Sequence, residues 1–386
     1  MKKKFLYTLM FLIVVLGIAF ISCSTKTYMG RWMKWRASDI LDHEKFPFYS
    51  FEASSQPFHF IAARDYRLDT LTILTKKGKQ NLNTVLASSE ATAFLVIKND
   101  SLLYERYFNG YTRESINTTF SVGKSITSLM VGRALGDELI KSIDDPITNY
   151  LPALKQTDSQ YEKITLAHLL NMRSGIQFKD HDLPWGDKPK AYYHPRLRER
   201  IYELPVKKEP GAAFQYNSYN PIVVGMILEK VCGQSPAQYF EESIWNKLGM
   251  EYSGSWSLDS DESRMTKMES GLNLRAIDFA KIGRLVLHHG NWNGKEIIPQ
   301  AWMEESSHIS AANHVPEFGE EIHYEKFWWL HSKDHKHAYI ISGWGHLGQY
   351  LYIFPDEGVI IVRMGKGLGK VDSWKRIFLQ VVEAVK

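Results

Sequence analysis

The sequence predicts an α/β fold of the α+β kind: a mostly antiparallel sheet built from both chain ends, with flanking helices and a mostly helical inserted domain. Three observations predict it. Strand-like runs gather toward the two ends, helical periodicity fills the middle, and no fixed-period repeat or heptad stretch interrupts the pattern. In the first strand-rich part, TAFLVIK (92–98) and SLLYERYF (101–108) flank Asn99-Asp100, a turn-prone pair that makes them a β-hairpin. Near the other end, 337–341, 349–354 and 358–364 are β-rich runs separated by Gly, Pro and Asp, and 370–385 reads as a closing helix. Between them, helices are expected over 124–135, 165–172, 221–231, 236–248 and 276–289. The expected division is one domain over 71–386, with a sheet region (71–135 and 336–386) and a helical region (136–335).

With 386 residues, 44% hydrophobic and 23% charged, the chain can bury a sizeable core, which excludes a fibre or a disordered tail. Lys2, Lys3 and Lys4 precede the uncharged run FLYTLMFLIVVLGIAFIS, so 1–22 reads as an export signal. The run is also as long as a minimal membrane helix, so a cleaved signal and an uncleaved anchor both fit. Phe20-Ile21-Ser22-Cys23 resembles a bacterial lipobox, which implies a lipid on Cys23 and a place in the bacterial cell envelope, facing the periplasm or exterior. Residues 23–70 are expected to form a tether and N-terminal extension. Within them KTYMGRWMKWR (26–36) interleaves four basic residues with Tyr28, Trp32 and Trp35 and holds no acid, a membrane-surface pattern, with a solvated linker as the alternative. Removing the lysines at 2–4 and these four cations from the net charge of +4 leaves −3, which gives no support to nucleic-acid binding.

Cys232 is the one cysteine after Cys23, so a mature chain has no disulfide framework and no cysteine metal site. It reads as a small buried hydrophobe. HSKDHKH (331–337) gathers His331, His335 and His337, but no HExxH-like pattern accompanies them, so a solvated loop is expected, with no metal and no cofactor.

The stretch with the most chemical potential is Phe120-Ser121-Val122-Gly123-Lys124-Ser125. Gly123-Lys124-Ser125 matches the end of a phosphate loop, but Thr118 stands where that motif needs Gly, and an exported protein meets no ATP. The other reading is Ser-x-x-Lys at the start of an apolar helix, Ser121 and Lys124 sharing one face through their i, i+3 spacing. A serine hydroxyl needs a base to become a nucleophile, and a desolvated lysine is neutral enough to serve.

Two further segments join it: PGAAFQYNS (210–218), with Tyr216 on a turn before an apolar helix, and GWGHLGQY (343–350), leading into a strand. In order and spacing the three segments resemble those of the penicillin-recognising serine hydrolases: class C β-lactamases, DD-peptidases and related esterases. DELIKSIDDPITNYLP (137–152), ITLAHLLNMRSGI (164–176) and 272–302 agree, and the last, with FWWL (327–330), is most similar to the 6-aminohexanoate-dimer hydrolase-like branch. The resemblance implies a β-lactamase/transpeptidase-like fold, Ser121 as the acylated nucleophile, Lys124 as its base and Tyr216 as a second acid/base. It implies an oxyanion hole from the backbone N–H groups of Ser121 and Gln349, with Gly348 letting the backbone approach the substrate, His346 bridging toward Tyr216 or the Ser/Lys pair, and Ser218 where Asn is common in the family. Leu347 replaces the family's Thr or Ser that binds a substrate carboxylate, which favours an ester or linear amide over a β-lactam or D-Ala-D-Ala peptide. Residues 178–200, rich in aromatic and charged side chains, are expected to form a loop over the site. The alternatives are β-lactamase or DD-peptidase activity, or an inert peptidoglycan- or β-lactam-binding lipoprotein.

Overall fold

The computed structural model describes residues 24–386 together with Tyr7 and Met10, so the rest of the signal-like run and Cys23 lie outside the described residues. Among the described residues no helix is long and apolar enough to cross a membrane.

The chain builds sixteen strands among the described residues: β1 (Phe48–Phe51), β2 (Ile61–Ala62), β3 (Thr72–Thr75), β4 (Gly78–Asn81), β5 (Ala91–Lys98), β6 (Ser101–Tyr107), β7 (Asn117–Thr118), β8 (Gly254–Ser257), β9 (Leu272–Leu274), β10 (Asn291–Trp292), β11 (Lys295–Glu296), β12 (Ile322–Glu325), β13 (Trp328–His331), β14 (Ile340–Gly345), β15 (Gln349–Phe354) and β16 (Val359–Gly365). The main sheet has eight strands in the order β12-β13-β14-β15-β16-β5-β6-β2. All its neighbours are antiparallel except β2 and β6. It is thus made from both ends of the domain, with β16 closing against β5. Asn99 and Asp100, at φ 46° and 62°, form the hairpin turn between β5 and β6, the left-handed pair that a two-residue turn requires.

The central strands read as unbroken apolar runs because both sheet faces are covered. Leu95 and Ile97 of β5, Leu351 and Ile353 of β15 and Val362 of β16 point into the main core, which the helix Ala276–Leu287 helps to fill. Phe94, Val96, Tyr352 and Ile361 point the other way, under Trp374, Ile377, Phe378 and Val381 of the C-terminal helix Trp374–Ala384. Between the sheet and the helical region runs Val122–Gly136, buried on every side along most of its length. Such a helix has no solvent stripe, as its continuous apolar sequence requires.

The structure differs from the expected boundaries in three places. β12 and β13 extend the main sheet into the stretch 136–335 that was expected to be helical. Their turn is Lys326-Phe327, at φ 45° and 68°, so the hairpin carries none of the usual turn residues. Tertiary bonds hold it instead: Phe327 N–H donates to Leu170 O at 2.9 Å, and Lys326 N–H to Asn171 Oδ1 at 2.8 Å. The strand expected at 337–341 is β14 (Ile340–Gly345), because the Asp334 carboxylate accepts from the N–H groups of Lys336 and His337, both at 2.9 Å, and keeps that segment in a turn. Finally, a second sheet, β1-β8-β9-β7, joins the N-terminal extension to the segment just before Ser121.

Candidate active site

Ser121 stands at the cap of the helix Val122–Gly136, directly after the short strand β7. β7 is anchored by Thr118 Oγ1, which donates to Asn273 Oδ1 at 2.8 Å, and the next residue, Thr119, donates its N–H to Leu272 O at 2.9 Å. Phe120 turns the chain from strand to helix at φ 51°, a left-handed conformation that costs a non-glycine residue about 1 kcal/mol or more. Its ring is held between His346, 5.4 Å away edge-on, and Tyr192 at 6.2 Å. The serine is therefore presented on a sharp, packed corner, with the positive end of a helix dipole beneath it.

Lys124 follows one turn later and is 1% exposed. Its Nζ donates to Ser121 Oγ and to Glu269 O, each at 2.8 Å, so the amine is held against the nucleophile. Burial pulls its pKa from 10.5 to about 7; the Glu269 carboxylate opposes the shift and the Lys267 ammonium adds to it. At neutral pH a large share of the amine is thus neutral and able to take the Ser121 proton. Glu269 and Lys267 form a buried ion pair at 2.7 Å, with side chains 3% and 1% exposed. Lys267 Nζ also lies 4.6 Å from the Tyr192 ring and 4.7 Å from that of Phe46. No pattern in the sequence singles out this pair; each lies far along the chain from Ser121 and becomes legible only once 267–269 is folded against the helix.

Tyr216 completes the triad. Its hydroxyl is near enough to Ser121 for the two to interact, and its ring lies 5.1 Å from Lys124 Nζ. Burial raises its pKa to about 12, while the Ser121 contact works in the opposite direction, so the phenol stays protonated and serves as a donor. The turn is fixed by the neighbouring Asn217, which accepts from Tyr219 N–H at 2.9 Å and donates from Nδ2 to Ile176 O at 3.0 Å. The Tyr216 ring stacks on Trp329 at 5.7 Å and meets Tyr324 at 5.9 Å. Ser218 lines the cavity beside it.

The third segment seats β14 on the nucleophile corner. A Cβ on Gly343 would fall 2.7 Å from Val122 Cγ1, and one on Gly345 would fall 2.2 Å from Thr119 O, so the strand approaches this closely only without side chains there. The register pairs Gly345 with Gln349, so β15 begins where β14 meets the segment 119–122. One expectation needs correction. His346 lines the cavity, but its contact is the Phe120 ring; its side chain makes no hydrogen bond to Tyr216, Ser121 or Lys124. Gly348, at φ 80°, is also constrained from within the fold: a Cβ would fall 2.1 Å from Arg363 Nη1. Arg363 is fully buried and donates to Gly348 O at 2.6 Å, Ser89 O at 2.8 Å and Gly367 O at 2.7 Å. Burial lowers its pKa to about 10. The Gln349 side chain points the same way, donating to Gly365 O at 2.5 Å.

These groups open into a cavity of about 440 Å³. The segment expected as a loop over the site lines it but is partly helical: it carries the helix Asp187–Tyr193 and enters Leu197–Ile201, and Asp182, Lys188, Tyr192 and Tyr193 lie on the wall. The adjoining part of the wall comes from a segment expected to be a membrane-surface tether. Lys26–Arg36 instead contributes the helix Tyr28–Trp35, which is packed on the domain, and Trp32 and Arg36 line the cavity. Arg31 is 5% exposed; its guanidinium donates to Thr25 O at 2.6 Å and to Asp259 O. Trp35 meets Phe46 at 5.0 Å and Tyr193 at 5.9 Å. The aromatic and basic pattern of this segment thus reflects packing as much as an exposed surface. Cys232 is half-buried at the end of the helix Tyr219–Cys232, and burial lifts its thiol pKa to about 12, far from a nucleophile's range.

A hydroxyl and a near-neutral amine on the wall of one cavity, with a protonated phenol behind the amine, are the groups of a serine hydrolase. A sequence model described as Beta-lactamase matches residues 83–386, and the chain belongs to that family. It is similar to the 6-aminohexanoate-dimer hydrolase of Paenarthrobacter ureafaciens, 26% identical over 317 residues that cover 77% of each chain. Among solved structures, a Bacillus anthracis protein provisionally named for the same activity superposes with a TM-score of 0.79 at 23% identity, covering 92% of this chain and 94% of that one. A family VIII carboxylesterase superposes with a TM-score of 0.61 at 14% identity, covering 76% and 91%.

Proposed function

We propose that the protein hydrolyses small carboxylic esters or linear amides, as a carboxylesterase or a 6-aminohexanoate-dimer hydrolase-like amidase. The observation that carries the reading is the Lys124 amine, buried and 2.8 Å from Ser121 Oγ. The neutral amine takes the Ser121 proton as Oγ attacks the carbonyl carbon, and the backbone N–H groups of Ser121 and Gln349 receive the developing oxyanion. Collapse of the tetrahedral intermediate breaks the bond to the leaving alkoxide or amine, which takes a proton from the Tyr216 phenol. Lys124 passes its proton to the phenolate, and the same groups then activate the water that releases the acid. Leu347, in place of a hydroxyl, supplies no partner for a substrate carboxylate, which argues against β-lactams and D-Ala-D-Ala peptides. A pure binder gains nothing from a buried amine beside a hydroxyl, which argues against an inert role.

The basic and apolar run 1–22 and Cys23 support attachment to the bacterial cell envelope, through a lipid on Cys23 or an uncleaved anchor, with the catalytic domain facing the periplasm or exterior. Loss of palmitate incorporation in Cys23→Ser separates the two anchors. The activity is tested on the full chain in detergent with a fluorophosphonate probe, p-nitrophenyl acetate and butyrate, and a chromogenic cephalosporin, with Ser121→Ala beside the wild type. Labelling and ester turnover that vanish together in the variant support the proposal. Rapid cephalosporin cleavage overturns the substrate class, and a folded wild type with neither label nor turnover favours the binding role.

A further inference from the structure

Outside the catalytic cavity, the fold brings together three histidines from one stretch of 22 residues, spaced 9 and 12 apart. One ring nitrogen from each of His314, His323 and His335 lies within 4.8 Å of the others. His323, on β12, is fully buried; His335 is exposed, at φ 54° on the loop between β13 and β14; His314 pairs with His323 in an isolated β-bridge. Of the histidines in HSKDHKH, only His335 joins the group. His331 is buried elsewhere, with both ring nitrogens unpaired, and His337 faces Asp334 at 2.7 Å.

The surroundings of these rings are those of metal ligands. His323 Nδ1 lies 3.1 Å from Ser310 O, and His314 Nε2 lies 2.8 Å from Glu320 O. A carbonyl only accepts, so those nitrogens carry the protons and each ring keeps its other nitrogen as a lone pair. Backbone carbonyls that fix the tautomer in this way are the usual outer shell of an imidazole-metal site. His323 Nε2 lies 3.1 Å from His335 Nδ1. Tetrahedral coordination at ~2.1 Å from each nitrogen sets ligand nitrogens ~3.4 Å apart, so this pair is already near the required span. The exposed loop carrying His335 has the freedom to close the wider gap. Three imidazoles with an open fourth position suit a borderline first-row cation, zinc first among them.

We propose that His314, His323 and His335 bind one divalent transition-metal ion of the zinc class, with solvent completing its coordination. The ion pins the 308–320 segment and the 332–337 loop to β12. That strand carries Tyr324, whose ring lies 5.9 Å from Tyr216, and Phe318 of the pinned segment meets Trp329 at 4.9 Å. The metal is therefore a clamp on the outer side of the aromatic wall that supports Tyr216, and it takes no part in the chemistry at Ser121.

The test uses the untagged full chain in detergent, stripped of metal and titrated with Zn²⁺ against a fluorescent chelator, with His335→Asn, His314→Ala and His337→Ala beside the wild type. Asn is chosen at 335 because it tolerates a positive φ. One Zn²⁺ per chain in the wild type and in His337→Ala, a raised thermal midpoint on binding, and affinity weakened ~100-fold or more in the other two variants are expected. Fluorophosphonate labelling of Ser121 in the metal-free variants verifies that they are folded. Absence of Zn²⁺ binding at micromolar concentration in the wild type, or equal affinity in folded His335→Asn, overturns the site.

Discussion

On the floor of the cavity, Lys124 is hydrogen-bonded to Ser121 and to Glu269 O, and the Tyr216 ring lies behind the amine at 5.1 Å. On its wall, Trp32 and Tyr192 come from two distant segments that meet through the aromatic packing of Trp35, Phe46 and Tyr193. The floor tolerates little displacement, because each group sets the proton affinity of the next. The wall sets chiefly the shape of the cavity. Changes in the floor therefore act on the chemical step, and changes in the wall on which acyl or leaving group fits.

The largest effects belong to the floor. Ser121→Ala and Lys124→Met each lower ester turnover by ~10⁴-fold or more. In the wild type, kcat/KM rises with pH until the lysine is neutral, at about 7, and then levels off. The two variants part company in stability. In the folded state Lys124 has a pKa of about 7 against 10.5 as an ordinary lysine, so burying its charged form penalises folding increasingly as pH falls from 10.5 to about 7. Lys124→Met escapes that penalty, ~1.4 kcal/mol for each pH unit between the two values, and gains about 4 kcal/mol at pH 7, a gain that disappears above pH 10.5 in denaturant titrations. Equal stability at the two pH values would show that Lys124 is not desolvated.

The floor also rests on a pair that does no bond-making. Glu269→Gln leaves Lys267 buried without its carboxylate, and a loss of ~3–5 kcal/mol in unfolding free energy is expected. Because Glu269 favours the charged form of Lys124, the rising limb of the pH profile moves below its wild-type position in the same variant. A smaller effect is expected at Asn217, which orients Tyr216 without touching substrate. Asn217→Ala lowers kcat by ~10–100-fold through misplacement of the phenol, and single-turnover kinetics assign the loss to acylation.

The same division separates what the sequence discloses from what it conceals. Ser121, Lys124 and Tyr216 are visible because the chemistry needs those side chains at helix starts and turns. β5, β15 and β16 are visible because burial on both faces makes them continuously apolar. Lys267 and Glu269 sit in no motif, and the β12–β13 hairpin turns on Lys326-Phe327, side chains that announce no turn. The contact of Gly348 with Arg363 is equally hidden, because an arginine from another strand is invisible from GWGHLGQY. Trp32 was assigned to a membrane surface because a lone aromatic and basic segment looks the same whether a bilayer or its own domain covers it.

Trp32→Ala tests whether the wall is as separate as its construction suggests. The residue lies outside the matched stretch 83–386 and touches the cavity from a helix secured elsewhere by Arg31 and Trp35. Removing the indole widens the cavity while leaving Ser121, Lys124 and Tyr216 in place. A small fluorophosphonate should therefore label the variant within about twofold of the wild-type rate. Across p-nitrophenyl acetate, butyrate and octanoate, kcat/KM should shift toward the longer chains by ~10-fold, the scale on which a hydrophobic pocket discriminates methylene groups. If labelling instead falls as far as turnover, the helix Tyr28–Trp35 supports the floor itself, and the N-terminal segment is part of the catalytic machinery.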